Sequence, residues 1–307
     1  MSTERSICFC INNNYVKHCC VTISSILNHN PYFFDFHVLS SDITDESKQL
    51  LSEVSKPSRI TFHEVDIKKF KNLKLNIDHT SIETYFRYLI PIMLPEVDKI
   101  LYLDVDTIIR GDISELFETD IENYYVAGAL DTYIESIAHK RSINFPESDL
   151  YVNAGVLLLN LKKLRSDNIC NLLFENTQKL QNKIKFQDQD IINLTLRPSI
   201  KLLDRKYNYT SHLFQQDEKY LLNNAIIVHY TGNIKPWNTK INSKPATLLY
   251  YNALSESPFK TTRLTQAVKL NNTKRLIFSR IKLNNNAREV TVLGIKFKYT
   301  KKRTIKQ

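Results

Sequence analysis

Lys99-Ile100-Leu101-Tyr102-Leu103-Asp104-Val105-Asp106 decides how the rest of the chain is read. The first five residues predict a buried strand, and the run breaks at two carboxylates two positions apart. In an extended chain, residues i and i+2 point to one side, so Asp104 and Asp106 converge where the strand ends. In open α/β sheets that end borders the ligand crevice. Two carboxylates this close repel unless a proton or cation joins them, and a divalent ion bridging to phosphate oxygens is the natural solution. The bland reading is two solvated loop acids, because a bare Asp-x-Asp often arises by chance.

Outward from this stretch the chain alternates strands and helices. Ser6 to Ile11 is predicted as a strand that stops at the turn cluster Asn12-Asn13-Asn14. Val16 to Leu27 reads as a helix, Asp35 to Leu39 as a strand, and Thr44 caps a helix reaching about Val54. Arg59 to Val65 alternates like a third strand. Strands joined by crossover helices predict a parallel α/β sheet. Thr80-Ser81-Ile82-Glu83 has the form of a capping box, with Pro91 and Pro95 limiting the helix behind it. Downstream, strands are predicted at Tyr125 to Leu130, Tyr151 to Leu161 and Ile226 to Tyr230. Helices are predicted from Asp167 to about Leu180 and from Gln187 onward.

Charge is unevenly placed over the 307 residues. The span 258–307 holds fourteen Lys or Arg against one acid, Glu289, and so carries +13. The whole chain is +10, which leaves −3 for residues 1–257. A mildly acidic body with a basic extension does not fit a general nucleic-acid binder, and nucleic acid is not an expected partner. With 42% hydrophobic and 24% charged residues, the chain can bury a sizeable core. The apolar run Ala154 to Leu159 falls far short of the ~20 residues a spanning helix needs. Met1-Ser2-Thr3-Glu4-Arg5 lacks a signal-peptide layout, so a cytoplasmic setting is expected. The five cysteines are expected to be reduced thiols: Cys8-Phe9-Cys10 has no second pair at a zinc-finger spacing.

Three further residues invite chemistry. His229, in Val228-His229-Tyr230-Thr231-Gly232, also ends an apolar run; it is either a hydrogen-bonded structural histidine or a third metal ligand. With the two aspartates it makes a mixed oxygen and imidazole set, which leans toward Mn²⁺ over Mg²⁺. Gly232-Asn233-Ile234-Lys235-Pro236-Trp237 is either an ordinary surface turn or a phosphate-binding one, with Gly232 allowing close approach and Lys235 supplying a cation.

Four motifs occur in order: LYLDVDTIIRGDISELF, YVNAGVLLLNLKKLR, FQDQDIIN and HYTGNIKPW. Together they make the chain resemble glycosyltransferase family 8, from about Ile7 to Trp237, in its bacterial lipooligosaccharide α-galactosyltransferase-like branch. The resemblance implies a GT-A fold, with a Rossmann-like nucleotide-binding half and a mixed central sheet. The charge division, not the resemblance, sets the domains: a catalytic domain is expected at 1–257, and the basic extension 258–307 is expected to attach to an anionic membrane surface, the bland reading being a solvated tail with a partly ordered strand at Val290 to Tyr299. The activity that the resemblance implies is retaining, metal-dependent transfer of a hexose, galactose or glucose, from a UDP-sugar donor to a saccharide or lipid-linked glycan acceptor.

By position, Asp104, Asp106 and His229 match the family's metal ligands, with Mn²⁺ or Mg²⁺ as the cofactor, and Val105 lies between the two acids. Gly232 and Lys235 match the diphosphate-binding turn. Arg87 matches a donor-facing arginine. Asn153, Asp188 and Gln189 match residues around the transferred sugar. His79 and Ile82 fall in a segment bordering the donor. Relatives usually place an aspartate where Asn12 stands, to accept the uracil N3–H. Asn14 and Tyr15 keep the rest of that pattern, including a ring that can stack on the base. From sequence, Asn12→Asp is expected to preserve or improve UDP binding, because a charged acceptor strengthens the bond.

Retention needs either two inversions or attack from the leaving-group face. Gln189 is a poor nucleophile, and Asp188 sits at a helix start where it either caps or binds sugar hydroxyls, so front-face attack is the favoured expectation. The competing readings are an inactive nucleotide-sugar binder and a metal phosphohydrolase, whose sites often need two ions and more ligands.

Overall fold

The computed structural model describes residues 5–76, 81–283 and 287–300. The first ten strands are β1 (Ser6–Cys10), β2 (Asp35–Ser40), β3 (Arg59–Glu64), β4 (Lys99–Leu103), β5 (Thr107–Ile109), β6 (Val126–Leu130), β7 (Val152–Asn160), β8 (Ile200–Leu203), β9 (Tyr209–Thr210) and β10 (Ile227–His229). Among the described residues, seven form the central sheet in the order β3-β2-β1-β4-β7-β6-β8. The β1–β4 half is parallel, as the alternation of elements predicts. β7 runs antiparallel to β4 and β6, which makes the sheet mixed.

Both faces of the sheet are covered, so its strands read as continuous apolar runs. Side chains alternate across β4: Tyr102 packs with Cys8 and Leu157 on one face. Leu101 and Leu103 pack with Ile7, Phe9 and Val156 on the other, against the helix Val16–His29. The Thr44 hydroxyl accepts the Ser47 N–H at 3.3 Å, so the expected cap of Asp45–Ser55 is present. A smaller sheet, β5-β10-β9, sets His229 opposite Thr107.

Three expectations are corrected. The segment behind Ser81 is a 3₁₀ helix, Ile82–Leu89, running into a short α-turn, Ile90–Met93. Ser81 holds the cap position without a side-chain bond, and Glu83 accepts from the Asn12 amide; the expected capping box rests on Thr80, which with His79 lies outside the described residues. The helix expected from Asp167 to about Leu180 is present but begins two residues later, at Ile169: Asn168 turns the chain at φ +52°, and a separate short helix, Leu161–Ser166, precedes it. The basic extension is structured, not a solvated tail. The helix Thr262–Ile277 lies on the helix Pro245–Ser255, with Val268 buried and the Asn272 amide donating to Asn252 Oδ1 at 3.0 Å. It leads into an antiparallel sheet of β11 (Phe278–Lys282), β12 (Ala287–Val292) and β13 (Ile295–Thr300). The single strand expected over Val290 to Tyr299 is thus parts of two, joined at Leu293-Gly294, where Gly294 takes φ +83°.

All five cysteines are free thiols, and burial pushes Cys8 and Cys19 well up. Among the described residues no helix is long and apolar enough to cross a membrane.

Candidate active site

The carboxyl ends of β1 and β4 open into a cavity of about 890 Å³. Asp104 leaves β4 with its backbone N–H donating to Gly155 O at 2.8 Å. Its Oδ1 accepts from Tyr102 Oη at 2.5 Å and Arg87 Nη2 at 3.1 Å. Its Oδ2 lies 3.7 Å from His229 Nε2. Asp106 completes the group, with Oδ1 3.1 Å from the same nitrogen. Ligand-type atoms of these three residues all fall within 4.8 Å of one another.

Three features show that this cluster suits a cation. His229 Nδ1 pairs with Asn208 Oδ1 at 2.9 Å; an amide oxygen can only accept, so Nδ1 carries a proton and Nε2 is the nitrogen that faces the two acids. Asp106 Oδ1 is buried and makes no hydrogen bond. Gly155 leaves the room: a Cβ there would stand 2.6 Å from Asp104 Oδ2 and 2.2 Å from His229 Cε1. Burial alone would raise the Asp106 pKa, but the Lys235 ammonium and the His229 ring outweigh it and hold the carboxyl well below the usual range.

Lys235 comes from the loop after β10. Its ammonium bonds Asp106 Oδ2 and donates to Tyr230 O at 2.7 Å. Gly232 takes φ +80°, a conformation that side chains resist, which accounts for glycine in this turn. Val105 and Tyr15 line the same cavity, as does Asn12. Asn14 is exposed outside it; its backbone N–H donates to Asn12 Oδ1 at 3.1 Å. Ile82 packs as a partly buried residue against the core.

Across the cavity, the helix Gln187–Leu196 brings Asp188 and Gln189. Asp188 does not cap this helix; Phe186 holds the cap position without a side-chain bond. Asp188 Oδ1 accepts from Thr84 Oγ1 at 2.5 Å, and Oδ2 lies 3.1 Å from Arg87 Nε. Burial pushes the Asp188 carboxyl upward, and Arg87 offsets this in part. Arg87 is itself held protonated: burial opposes its charge, but Asp188, the Tyr102 ring and Asp104 favour it more. Gln189 Oε1 accepts from Ala154 N at 3.0 Å, and Nε2 donates to Asp131 Oδ2 at 3.1 Å.

Two residues of the site were missed from sequence. Asp131 ends β6 and accepts from both Asn153 and Gln189. Asn208 sets the His229 ring and donates to Asn153 Oδ1 at 2.9 Å. Asp131 carried a signal, as a carboxylate closing an apolar strand; Asn208, in the irregular stretch Lys206-Tyr207-Asn208-Tyr209, carried none.

A sequence profile described as glycosyl transferase family 8 matches residues 6–240. A lipopolysaccharide 1,2-glucosyltransferase of Escherichia coli is 30% identical over 275 residues, covering 84% of this chain and 80% of the relative. A lipopolysaccharide 1,3-galactosyltransferase of Salmonella typhimurium is 28% identical over 277 residues, covering 86% and 81%. Among solved structures, the galactosyltransferase LgtC in complex with donor and acceptor sugar analogs superimposes with a TM-score of 0.75 at 25% identity. That match spans 85% of this chain and 99% of LgtC. The mixed sheet and its flanking helices are the GT-A fold, and the chain belongs to glycosyl transferase family 8.

Proposed function

We propose that the chain is a retaining hexosyltransferase that moves galactose or glucose from a UDP-sugar to a saccharide acceptor of the lipopolysaccharide type. The observation that carries this is one cavity in which Asp104, Asp106, His229 and Lys235 face Asp188, Gln189 and Arg87. A cluster suited to a divalent ion and a diphosphate thus stands opposite carboxylate and amide groups suited to a sugar. The names of the lipopolysaccharide transferases above support the choice of sugar and acceptor class.

Asp104, Asp106 and His229 would hold Mn²⁺ in preference to Mg²⁺, since one ligand is an imidazole; the ion supplies electrostatic relief for the departing diphosphate. Lys235 offers that leaving group a second positive charge. Tyr15 stacks on the base, and Asn12 meets its edge. Gln189 is an amide engaged at both ends, and Asp188 is tied to Thr84 and Arg87. Neither is a free nucleophile, which favours front-face attack, the departing phosphate taking the acceptor proton. Asp188 then orients sugar hydroxyls. Turnover of a panel of nucleotide sugars with Mn²⁺ tests the reading: EDTA should abolish transfer, and the product should keep the donor's anomeric configuration. Full activity in EDTA or an inverted product would overturn it.

The membrane partner rests on the extension. Phe278, Val292, Ile295 and Phe297 stand exposed on one face of the β11-β12-β13 sheet, with Arg280 and Arg288 among them in the strand register. Leu276, 71% exposed, adjoins them. Apolar groups ringed by cations fit an anionic leaflet, where each engaged basic residue adds about 1 kcal/mol. We place the catalytic unit at 1–257 and the attachment unit at 258–307, on the inner face of the cell membrane. Because Phe259 and the helix Thr262–Ile277 pack on the body, surface substitutions test this better than truncation. Ile295→Ser with Phe297→Ser should abolish flotation with anionic liposomes and leave transfer to a short soluble acceptor intact; unchanged flotation would remove the membrane assignment.

A further inference from the structure

One contact at the base end of the cavity has no part in the chemistry above. Asn12 follows β1, and its amide is fixed on both sides. Oδ1 accepts the Asn14 N–H at 3.1 Å, and Nδ2 donates to Glu83 Oε2 at 3.2 Å. Only this orientation satisfies both partners: turned over, the amide would set its NH₂ against an N–H and its oxygen against a carboxylate. Glu83 lies in the first turn of the 3₁₀ helix Ile82–Leu89 and is 7% exposed. Both residues line the cavity.

We infer that Glu83 is the positioning residue for base recognition, orienting the Asn12 amide and supplying the negative charge that asparagine lacks. The inference rests on the uridine reading of the site and goes beyond it by naming what sets base preference. An amide oxygen receives an N–H, and a buried carboxylate behind it makes that edge of the pocket more favourable for a donor. Uracil presents its N3–H there, whereas cytosine presents a bare N3 acceptor. The pair therefore favours UDP over CDP. It also reverses the expectation for Asn12→Asp: a carboxylate at position 12 would stand about 3 Å from that of Glu83, and two acids so placed cannot both ionise without cost. Positions 12 and 83 accept one acid and one amide.

The test is a charge-exchange cycle on the full chain, read by calorimetry with UDP and with CDP in the presence of Mn²⁺. Wild type should prefer UDP. Glu83→Gln should narrow the UDP-to-CDP ratio by several-fold. Asn12→Asp should weaken UDP binding about tenfold, and the double variant Asn12→Asp with Glu83→Gln should recover to within about threefold of wild type. Melting curves without ligand should show the same loss and recovery. That readout also serves if Asn12→Asp alone folds poorly. Wild-type UDP affinity in Asn12→Asp, or a double variant no better than it, would overturn the pairing while leaving the uridine reading intact. A wild type that prefers CDP or GDP over UDP would overturn both.

Discussion

Gly155→Ala is the smallest change that should disable the metal cluster. Gly155 lies in β7, and its carbonyl accepts the Asp104 N–H at 2.8 Å, so the backbone is tied to the strand that carries the acids. An added Cβ would stand 2.2 Å from His229 Cε1, 2.6 Å from Asp104 Oδ2 and 2.9 Å from His229 Nε2. Ordinary carbon contacts need about 3.5 Å, so the ring must retreat by roughly 1 Å. His229 is only 3% exposed and is held through Nδ1 by Asn208, which leaves little room to retreat. Overpacking of this kind costs about 1–3 kcal/mol. Metal ligands tolerate displacements of only about 0.2 Å. Urea denaturation should therefore show a loss of about 1–3 kcal/mol with the fold retained, and Mn²⁺ affinity, followed by the paramagnetic resonance of the free ion, should fall more than about tenfold. A Gly155→Ala protein that unfolds at the parental midpoint and binds Mn²⁺ with parental affinity would refute the reasoning.

Asn208→Ala should lower Mn²⁺ affinity about 10- to 100-fold, because the His229 ring loses the partner that fixes its tautomer; unchanged affinity would show that packing alone orients the ring. Asp188→Asn should cut turnover strongly while UDP affinity, measured by calorimetry, barely moves, whereas equal loss of both would assign Asp188 to holding Arg87. Burial pushes His18 and His37 down to about 4. The unfolded chain therefore takes up those protons first, and stability present above pH 6.5 should be lost progressively as pH falls toward 4. Urea midpoints at pH 7.5 and 5 that coincide would contradict this, and His37→Gln should flatten the profile. Asn153→Ala should lower metal affinity and turnover together, and a selective loss of acceptor binding would instead place Asn153 against the sugar.

The sequence exposed the parallel half of the sheet well, because strands covered on both faces leave unbroken apolar runs such as Ile100 to Leu103. It was poorer where backbone conformation depends on distant contacts. The pattern ahead of Ile82 announces an α-helix, but Glu83 accepts from Asn12, 71 residues away, and Ile82–Leu89 winds as a 3₁₀ helix. Asn168 sets the start of the helix Ile169–Leu180 by taking a left-handed conformation that its neighbours do not announce. The DxD acids and His229 stood out because a charged or titratable group ending an apolar strand is costly without a partner. Asn208 is neutral and lies in no periodic pattern, so its hold on His229 appears only in three dimensions. In the extension, alternating apolar and basic residues were visible, but which of them share one face depends on the register of β11, β12 and β13.

Asn153 shows how the two sides of the cavity are joined. A carboxamide has two donor hydrogens and room for two bonds at its oxygen. Asn153 Nδ2 donates to Asp131 Oδ2 at 3.0 Å and to Gln189 Oε1 at 3.1 Å. Its Oδ1 accepts from Gly155 N at 3.0 Å and Asn208 Nδ2 at 2.9 Å. All four capacities are used within the protein, which leaves none for a sugar hydroxyl without breaking a buried bond. A buried polar network satisfied in this way is stiff, and leaving one member unpaired costs about 1–3 kcal/mol. The bonds run without a gap from His229 through Asn208 and Asn153 to Gln189 and Asp131. The ring that faces the acids and the Gln189 amide across the cavity are therefore held at a fixed separation by the same side chain. Under the proposed front-face transfer, such a fixed separation would keep the leaving phosphate within reach of the incoming hydroxyl.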